Sequence, residues 1–161
     1  MHTVEAISFR LATPADRPRL VPMINAAFSV ESFLDSTRTD DARLAEVMEK
    51  GEILVAEDDT NHLLASVYME QRGDRGYLGM LAVDPAHQRS GLGRRLMRAA
   101  EDRFRERGLH AVEITVLSLR TELPPIYSRF GYIATGTEEF HSPQRVKDGR
   151  ECYCIVMTKQ L

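Results

Sequence analysis

At 161 residues the chain has the length of a single domain, and its 43% hydrophobic and 28% charged content, with 10 Gly and 7 Pro, excludes collagenous and wholly disordered classes. Its 24 acids and 21 bases give a formal charge of −3, so no global positive field recruits nucleic acid. No apolar run approaches the ~20 residues that cross a bilayer, and residues 1–10 lack the apolar stretch of a secretion signal, so a cytoplasmic protein is expected.

Residues 7–11 alternate like a strand, and Thr13-Pro14 then offers a helix cap with proline at the first helical position. A helix is predicted from there toward Phe28, kinked or split by Pro18 and Pro22. The spacing of Leu44, Val47 and Met48 predicts a second helix over 40–50, stopped at Gly51. Residues 52–57 and 62–70 flank the turn-rich 58–61 as a β-hairpin, and after the polar turn 71–75 a third strand over 77–83 ends at Asp84-Pro85. Leu92, Leu96, Ala100 and Phe104 recur every four residues, widened by Met97 and Ala99, which predicts a helix over 91–107 that stops at Gly108. Residues 110–117 follow as a buried strand, so 80–117 forms a strand–helix–strand unit whose strands run parallel. Thr121 can cap a short helix that holds Pro124, Pro125, Ile126 and Tyr127 and stops at Gly131. Strands over 132–137 and 151–158 close the chain. The expected class is α/β with mixed α+β character: one domain over 1–161 with a central mixed, mostly antiparallel sheet flanked by helices.

Cys152 and Cys154 lie two apart in an apolar strand beside Tyr153 and Ile155, where buried, inert thiols are expected. No disulfide framework follows from two such cysteines. His2, His62, His87, His110 and His141 are scattered without metal-ligand spacing, so no metal is expected.

The chemistry concentrates in residues 81–96, where a polar loop with Gly91 and Gly93 joins a buried strand to the start of a long helix. The first N–H groups of a helix have no partners within it and carry the positive end of its dipole, so this arrangement binds anions. Arg89, Arg94, Arg95 and Arg98 add positive charge at the same end, and the pocket would suit a diphosphate. A P-loop is excluded by its missing lysine and spacing. The dinucleotide fingerprint is half matched, with Leu96 where the third small residue belongs and Glu113 in mid-strand rather than at a strand end.

Residues 88–93, Gln-Arg-Ser-Gly-Leu-Gly, match the Q/R-x-x-G-x-G/A motif of the GCN5-related N-acetyltransferase (GNAT) superfamily. Upstream, Leu81-Ala82-Val83 resembles that family's bulged central strand; downstream, Leu123 to Tyr132 is similar to its L-x3-Y-x3-G-[FY] segment. Element order agrees over nearly the whole chain, although the first third matches only in pattern. The resemblance implies a fold of this type, an acetyl-CoA donor and transfer to a primary amine. It further implies that Leu81, Ala82, Val83, Gln88, Arg89, Ser90, Gly91, Leu92, Gly93 and Arg94 hold the donor, with Tyr127 as general acid beside its sulfur. Arg103, Arg105 and Arg107 are expected to be surface charges.

An amine attacking a thioester must arrive neutral, pass through an oxyanion and expel a thiolate that benefits from a proton. A phenol with an ordinary pKa of ~10 can donate to such a thiolate. Relatives often place a base on the central strand a few residues before the Leu-Ala-Val segment, where this chain has Tyr77 and Gly79. Glu70 is the base candidate taken forward, with Glu113, Glu139, His141 and a water chain as alternatives. Direct transfer without an acyl-cysteine is expected. Residues 31–59 hold ten acids against Arg38, Arg43 and Lys50, a balance of −7 that could attract a cationic small-molecule or peptide amine. A non-catalytic acyl-CoA-sensing module and a nucleotide-binding regulator are the competing readings, and a homodimer accords with the resemblance.

Overall fold

The structure, a computed structural model, describes residues 6–161, so that His2 lies outside the described residues. Strand β1 (Ser8–Leu11) leads into a 3-10 turn (Pro14–Asp16) and helix α1 (Arg17–Ala27). The predicted split is therefore present, at the junction of the 3-10 turn with α1. Pro18 sits in the first turn of α1, where no donor is needed, and Pro22 lies inside the helix. Helix α2 (Asp41–Lys50) is capped by the Asp40 carboxylate, which accepts from the Arg43 N–H at 2.8 Å.

Strands β2 (Glu52–Glu57), β3 (Leu63–Arg72) and β4 (Arg75–Val83) form the antiparallel meander expected. The polar turn after β3 is shorter than its composition suggested: Arg72 already pairs with Arg75, and Gly73 at φ +63° turns the chain. Helix α3 (Leu92–Glu106) then crosses the sheet to β5 (Ala111–Leu117), and α4 (Leu123–Arg129) precedes β6 (Ile133–Glu139) and β7 (Tyr153–Gln160). Among the described residues these strands form one seven-stranded sheet in the order β1-β2-β3-β4-β5-β7-β6, antiparallel except for β4 beside β5. Thr121 does not cap α4. Glu122 holds that position without a side-chain bond, since Pro124 and Pro125 in the first turn have no N–H groups to satisfy.

The apolar run of β2 is buried on both faces because successive side chains point oppositely. Leu54 and Ala56 join the cluster under α3 with Leu96, Phe104 and Tyr132, whereas Ile53 and Val55 join Leu20, Ile24 and Leu44 under α1 and α2. The four-residue apolar stripe of α3 is the face that the first cluster absorbs. At Gly76 a Cβ would stand 2.5 Å from the Phe104 ring, so glycine lets α3 lie close against β4. No described helix is long and apolar enough to cross a membrane.

Asp16 anchors the start of α1. It accepts from Arg10 Nη1 and Nη2 at 2.8 and 2.9 Å, from Arg19 Nη2 at 2.8 Å and from the Thr13 N–H at 2.7 Å. The hydrogen bonds from Arg10 hold this buried carboxyl far below the usual carboxylate range. A depressed folded-state value stabilises the fold above the unfolded pKa of ~3.9 and ceases to do so as pH falls through the folded value. Urea unfolding of Asp16→Asn is therefore expected to show a loss of about 2 kcal/mol at pH 7. The gap from the wild type should shrink progressively below about pH 5.

Candidate active site

Two parallel strands that part company make the central feature. β4 and β5 pair only at Gly76 with Val112 and Tyr77 with Glu113, after which the ladder stops. The cause lies on the other side of β4, where Ser66 pairs with Ala82 and Tyr68 with Gly79, leaving Met80 and Leu81 opposite Val67 alone. This bulge, with Met80 at φ +51°, bends β4 while β7 holds β5 along its length. The edge of β4 that faces β5 thus carries no ladder partner beyond Tyr77, and its backbone groups are available to a ligand.

A cleft of about 460 Å³ lies beside the bent end of β4, lined by Leu81 and Val83 of β4, by Gln88, Arg89, Gly91, Leu92, Gly93 and Arg94, by Tyr127 of α4 and by Phe130 just after it. The loop is held to the strand by Gln88, whose Nε2 donates to Val83 O at 3.2 Å. Arg89 at φ +66° and Gly91 at φ +80° turn the chain into α3. The first helical bond at this end runs from the Arg95 N–H to Gly91 O at 3.1 Å, which leaves the N–H groups of Leu92, Gly93 and Arg94 to point out of the helix end. Of the arginines near this helix, Arg89 and Arg94 line the cleft. Arg95 lies over Phe9, while Arg105 and Arg107 pair with Asp102 and Glu52 at 2.6 Å each. Free N–H groups and two guanidinium groups at one end of an apolar cleft fit an elongated ligand that ends in a diphosphate.

Of the residues expected to hold the donor, Ala82 and Ser90 do not line the cleft with their side chains. The Ala82 side chain lies on the opposite face, buried in the cluster of α1 and α2, because side chains alternate along β4. Ser90 turns away from the cleft and donates to His87 O at 2.6 Å. Only the backbone of these two residues remains for a ligand.

Tyr127 stands where the cleft meets a second pocket. Its ring packs edge-on against Phe130 at 5.9 Å and Tyr132 at 6.2 Å, and its hydroxyl has no hydrogen-bond partner among the described residues. Burial pushes the phenol up to about 12, so it stays protonated at neutral pH. The second pocket, about 310 Å³, is shared by Tyr127, Glu31, Tyr77, Thr115, Glu138, Glu139 and His141. It continues into a third of about 430 Å³ that holds Arg43, Glu46, Lys50, Tyr68 and Glu70, and Arg38, Arg72, Tyr77 and His141 border both.

Glu70 is not brought to Tyr127. It lines the third pocket, not the second, and Arg72 binds its carboxylate at 2.9 and 3.0 Å. Glu113 lies at the closed end of the wedge and accepts from Arg75 at 2.8 Å. His141 and Glu139, 3.4 Å apart and exposed, do share the pocket of Tyr127. Tyr77 shares a 3.1 Å hydrogen bond with Thr115 Oγ1.

Glu31 was not singled out by its local sequence. It is buried, its Oε2 accepts from Arg120 Nη1 at 2.7 Å, and its Oε1 has no hydrogen-bond partner, with Arg38 at 3.8 Å. Its partner lies 89 residues away, beyond the reach of any local motif. The acidic wall expected from 31–59 does not form: of the ten acids, only Glu31 and Glu46 line the two outer pockets. Arg17, Arg107 and Arg10 neutralise Asp41, Glu52 and Glu57 elsewhere. Cys154 borders the second pocket, but burial pushes its thiol up, away from the reactive thiolate; Cys152 lies just outside β7.

Residues 24–144 match the family model of the acetyltransferase (GNAT) domain. Mycothiol acetyltransferase from Propionibacterium freudenreichii subsp. shermanii is 27% identical over 137 residues, which cover 81% of this chain and 44% of that protein. The chain thus spans less than half the length of this curated relative. Among solved structures, the ribosomal-protein-S18-alanine N-acetyltransferase from Escherichia coli has a TM-score of 0.76 at 20% identity over 96% of this chain and 94% of its own. The protein yncA of Salmonella typhimurium, solved with its cofactor acetyl-CoA, gives 0.74 at 24% identity over 97% and 94%. ACIAD1637 from Acinetobacter baylyi ADP1 gives 0.79 at 16% identity over 99% and 95%. These structural likenesses extend over nearly the whole of β1 to β7.

Proposed function

The chain belongs to the acetyltransferase (GNAT) family, and on that premise we propose that it moves an acetyl group from acetyl-CoA to a primary amine by direct transfer, with donor and acceptor bound together. The observation that carries this reading is the place of Tyr127: a protonated phenol whose hydroxyl has no partner among the described residues, shared by the diphosphate-fitting cleft and a second, polar pocket. A module that only sensed the donor would have no use for that second pocket.

The free N–H groups of Leu92, Gly93 and Arg94, with the Arg89 and Arg94 guanidinium groups, hold the diphosphate of the donor. The unpaired edge of β4 takes the amide groups of the pantetheine arm, and its N–H groups near Leu81–Val83 bond the carbonyl oxygen as charge develops there. The donor supplies the acetyl group as an activated thioester. Tyr127 gives its proton to the departing sulfur. His141, at the rim of the same pocket and beside Glu139, takes the proton that the amine sheds. Glu70, tied to Arg72, shapes the neighbouring pocket instead.

Direct transfer leaves no acetyl group on the protein. The intact mass of the protein, taken after incubation with acetyl-CoA in the absence of any amine, is expected to be unchanged. An acetyl adduct mapped to Cys154 or Cys152 would contradict the mechanism.

A further inference from the structure

The outer pockets differ in charge, and the difference defines what the acceptor must carry. On the reading that transfer takes place at Tyr127, we propose that the acceptor is a small amine bearing an oxyanion, a carboxylate in the simplest case. Its amine lies beside Tyr127 and its oxyanion lies among Arg43, Lys50, Arg38 and Arg72.

The amine end follows from Glu31. This carboxylate is buried and fixed through Oε2 by Arg120, yet its Oε1, 3.8 Å from Arg38, has no hydrogen-bond partner among the described residues. Buried carboxylate oxygens are costly to leave unsatisfied, and an N–H donor arriving in the pocket would complete the set. Glu138 and Glu139 line the same pocket and add attraction for an incoming ammonium group.

At the other end the cations prevail. Four of them, Arg38, Arg43, Lys50 and Arg72, line the third pocket against Glu46 and Glu70; Arg72 is bound to Glu70 and Arg38 lies 3.8 Å from Glu31, so Arg43 and Lys50 carry the excess over Glu46. Lys50 makes no ion pair among the described residues, and Arg43 lies 3.5 Å from Asp40, the residue that caps its own helix. The guanidinium groups of Arg38 and Arg72 are stacked on Phe28 at 4.7 Å and Tyr77 at 3.7 Å, which orients their donor edges. Both also border the pocket of Tyr127, so one short molecule can reach the two ends. A polycation would meet like charge here. Of the ten acids in residues 31–59, which suggested a cationic acceptor, Asp40, Asp41, Glu52 and Glu57 are engaged in ion pairs and a helix cap elsewhere, and only Glu31 and Glu46 line these two pockets.

The test uses the whole chain with acetyl-CoA and matched acceptors: L-amino acids and ω-amino carboxylates, the amides of each, and spermidine as a cation without an oxyanion. Thiol release reports turnover. The expected result is a kcat/KM for the carboxylates about tenfold or more above that of their amides. In the double variant Arg43→Gln, Lys50→Gln this preference should fall to about parity while the rise in melting temperature with acetyl-CoA is kept. Three results would overturn the proposal: amides or spermidine used as well as the carboxylates, a preference that survives the double variant, or no carboxylate acetylated by a protein that acetyl-CoA still stabilises. Failure of acetyl-CoA to stabilise the wild type is distinct from these, because it removes the reading of the cleft and takes the proposal with it.

Discussion

Tyr127→Phe is expected to lower kcat by about a hundredfold or more, the usual contribution of a positioned general acid, with affinity for acetyl-CoA unchanged within about twofold. The substitution removes one oxygen that bonds nothing among the described residues, and the edge-on contacts with Phe130 and Tyr132 belong to the ring, which phenylalanine keeps. Little stability is lost for that reason. Thermal unfolding with and without acetyl-CoA, alongside steady-state turnover, separates the two roles. A variant that turns over at the wild-type rate would make Tyr127 a packing residue, and one that loses donor affinity in step with turnover would place its hydroxyl in binding rather than proton transfer. The raised value of the phenol, about 12, also means that its own ionisation should not shape the pH profile at neutral pH.

Gly93→Asp should divide stability from binding more sharply. Gly93 is the second residue of α3 and has an ordinary helical backbone; a Cβ there would meet Val83 Cγ2 at 3.4 Å and Leu81 Cδ2 at 3.8 Å, which the cleft can absorb. Aspartate is only about 0.3 kcal/mol better than glycine in a helix, and an acid in the first turn adds about 0.3–1 kcal/mol through the helix dipole. The melting temperature of the free protein should therefore hold or rise. For the donor the change is adverse, since two like charges ~4 Å apart repel by about 4 kcal/mol at the dielectric of a protein surface. Affinity for CoA measured by calorimetry should fall by about a hundredfold or more. Retained affinity would mean that the diphosphate sits somewhere other than the start of α3.

The elements most legible in the sequence were those whose signal is local. The four-residue stripe of α3 and the uninterrupted apolar run of β2 each report a burial pattern that neighbouring residues decide together. The glycine-bearing turn into α3 was equally plain, because Arg89, Gly91, Gly93 and Arg94 lie within one loop and one helix turn. Side-chain direction was less so for Ser90, whose hydroxyl bonds His87 O, whereas the contacts of Leu81 to Val83 were expected from the backbone alone. What escaped altogether was set by the fold's long-range pairing. Glu31 acquires its place from Arg120, 89 residues on, and Asp41, Glu57 and Glu52 of the acidic stretch are paired by Arg17 of α1, Arg10 of β1 and Arg107 just after α3. The place of the base candidate depends on the same pairing: Glu70 and His141 border one groove, but the register of β3 with β4 sets Glu70 opposite Tyr77, beside Arg72, and in the pocket next to that of Tyr127.

The account stands on the wedge between β4 and β5 being a site for CoA, and thermal unfolding tests that without knowledge of the acceptor. Acetyl-CoA, CoA, ATP and NAD should be compared side by side, since a ligand present at 100 times its Kd adds about 2.7 kcal/mol to stability. The account predicts a rise in melting temperature with acetyl-CoA and CoA and none with ATP or NAD. A protein indifferent to both CoA species would contradict it, because the free N–H groups at the start of α3 would then be an ordinary helix end.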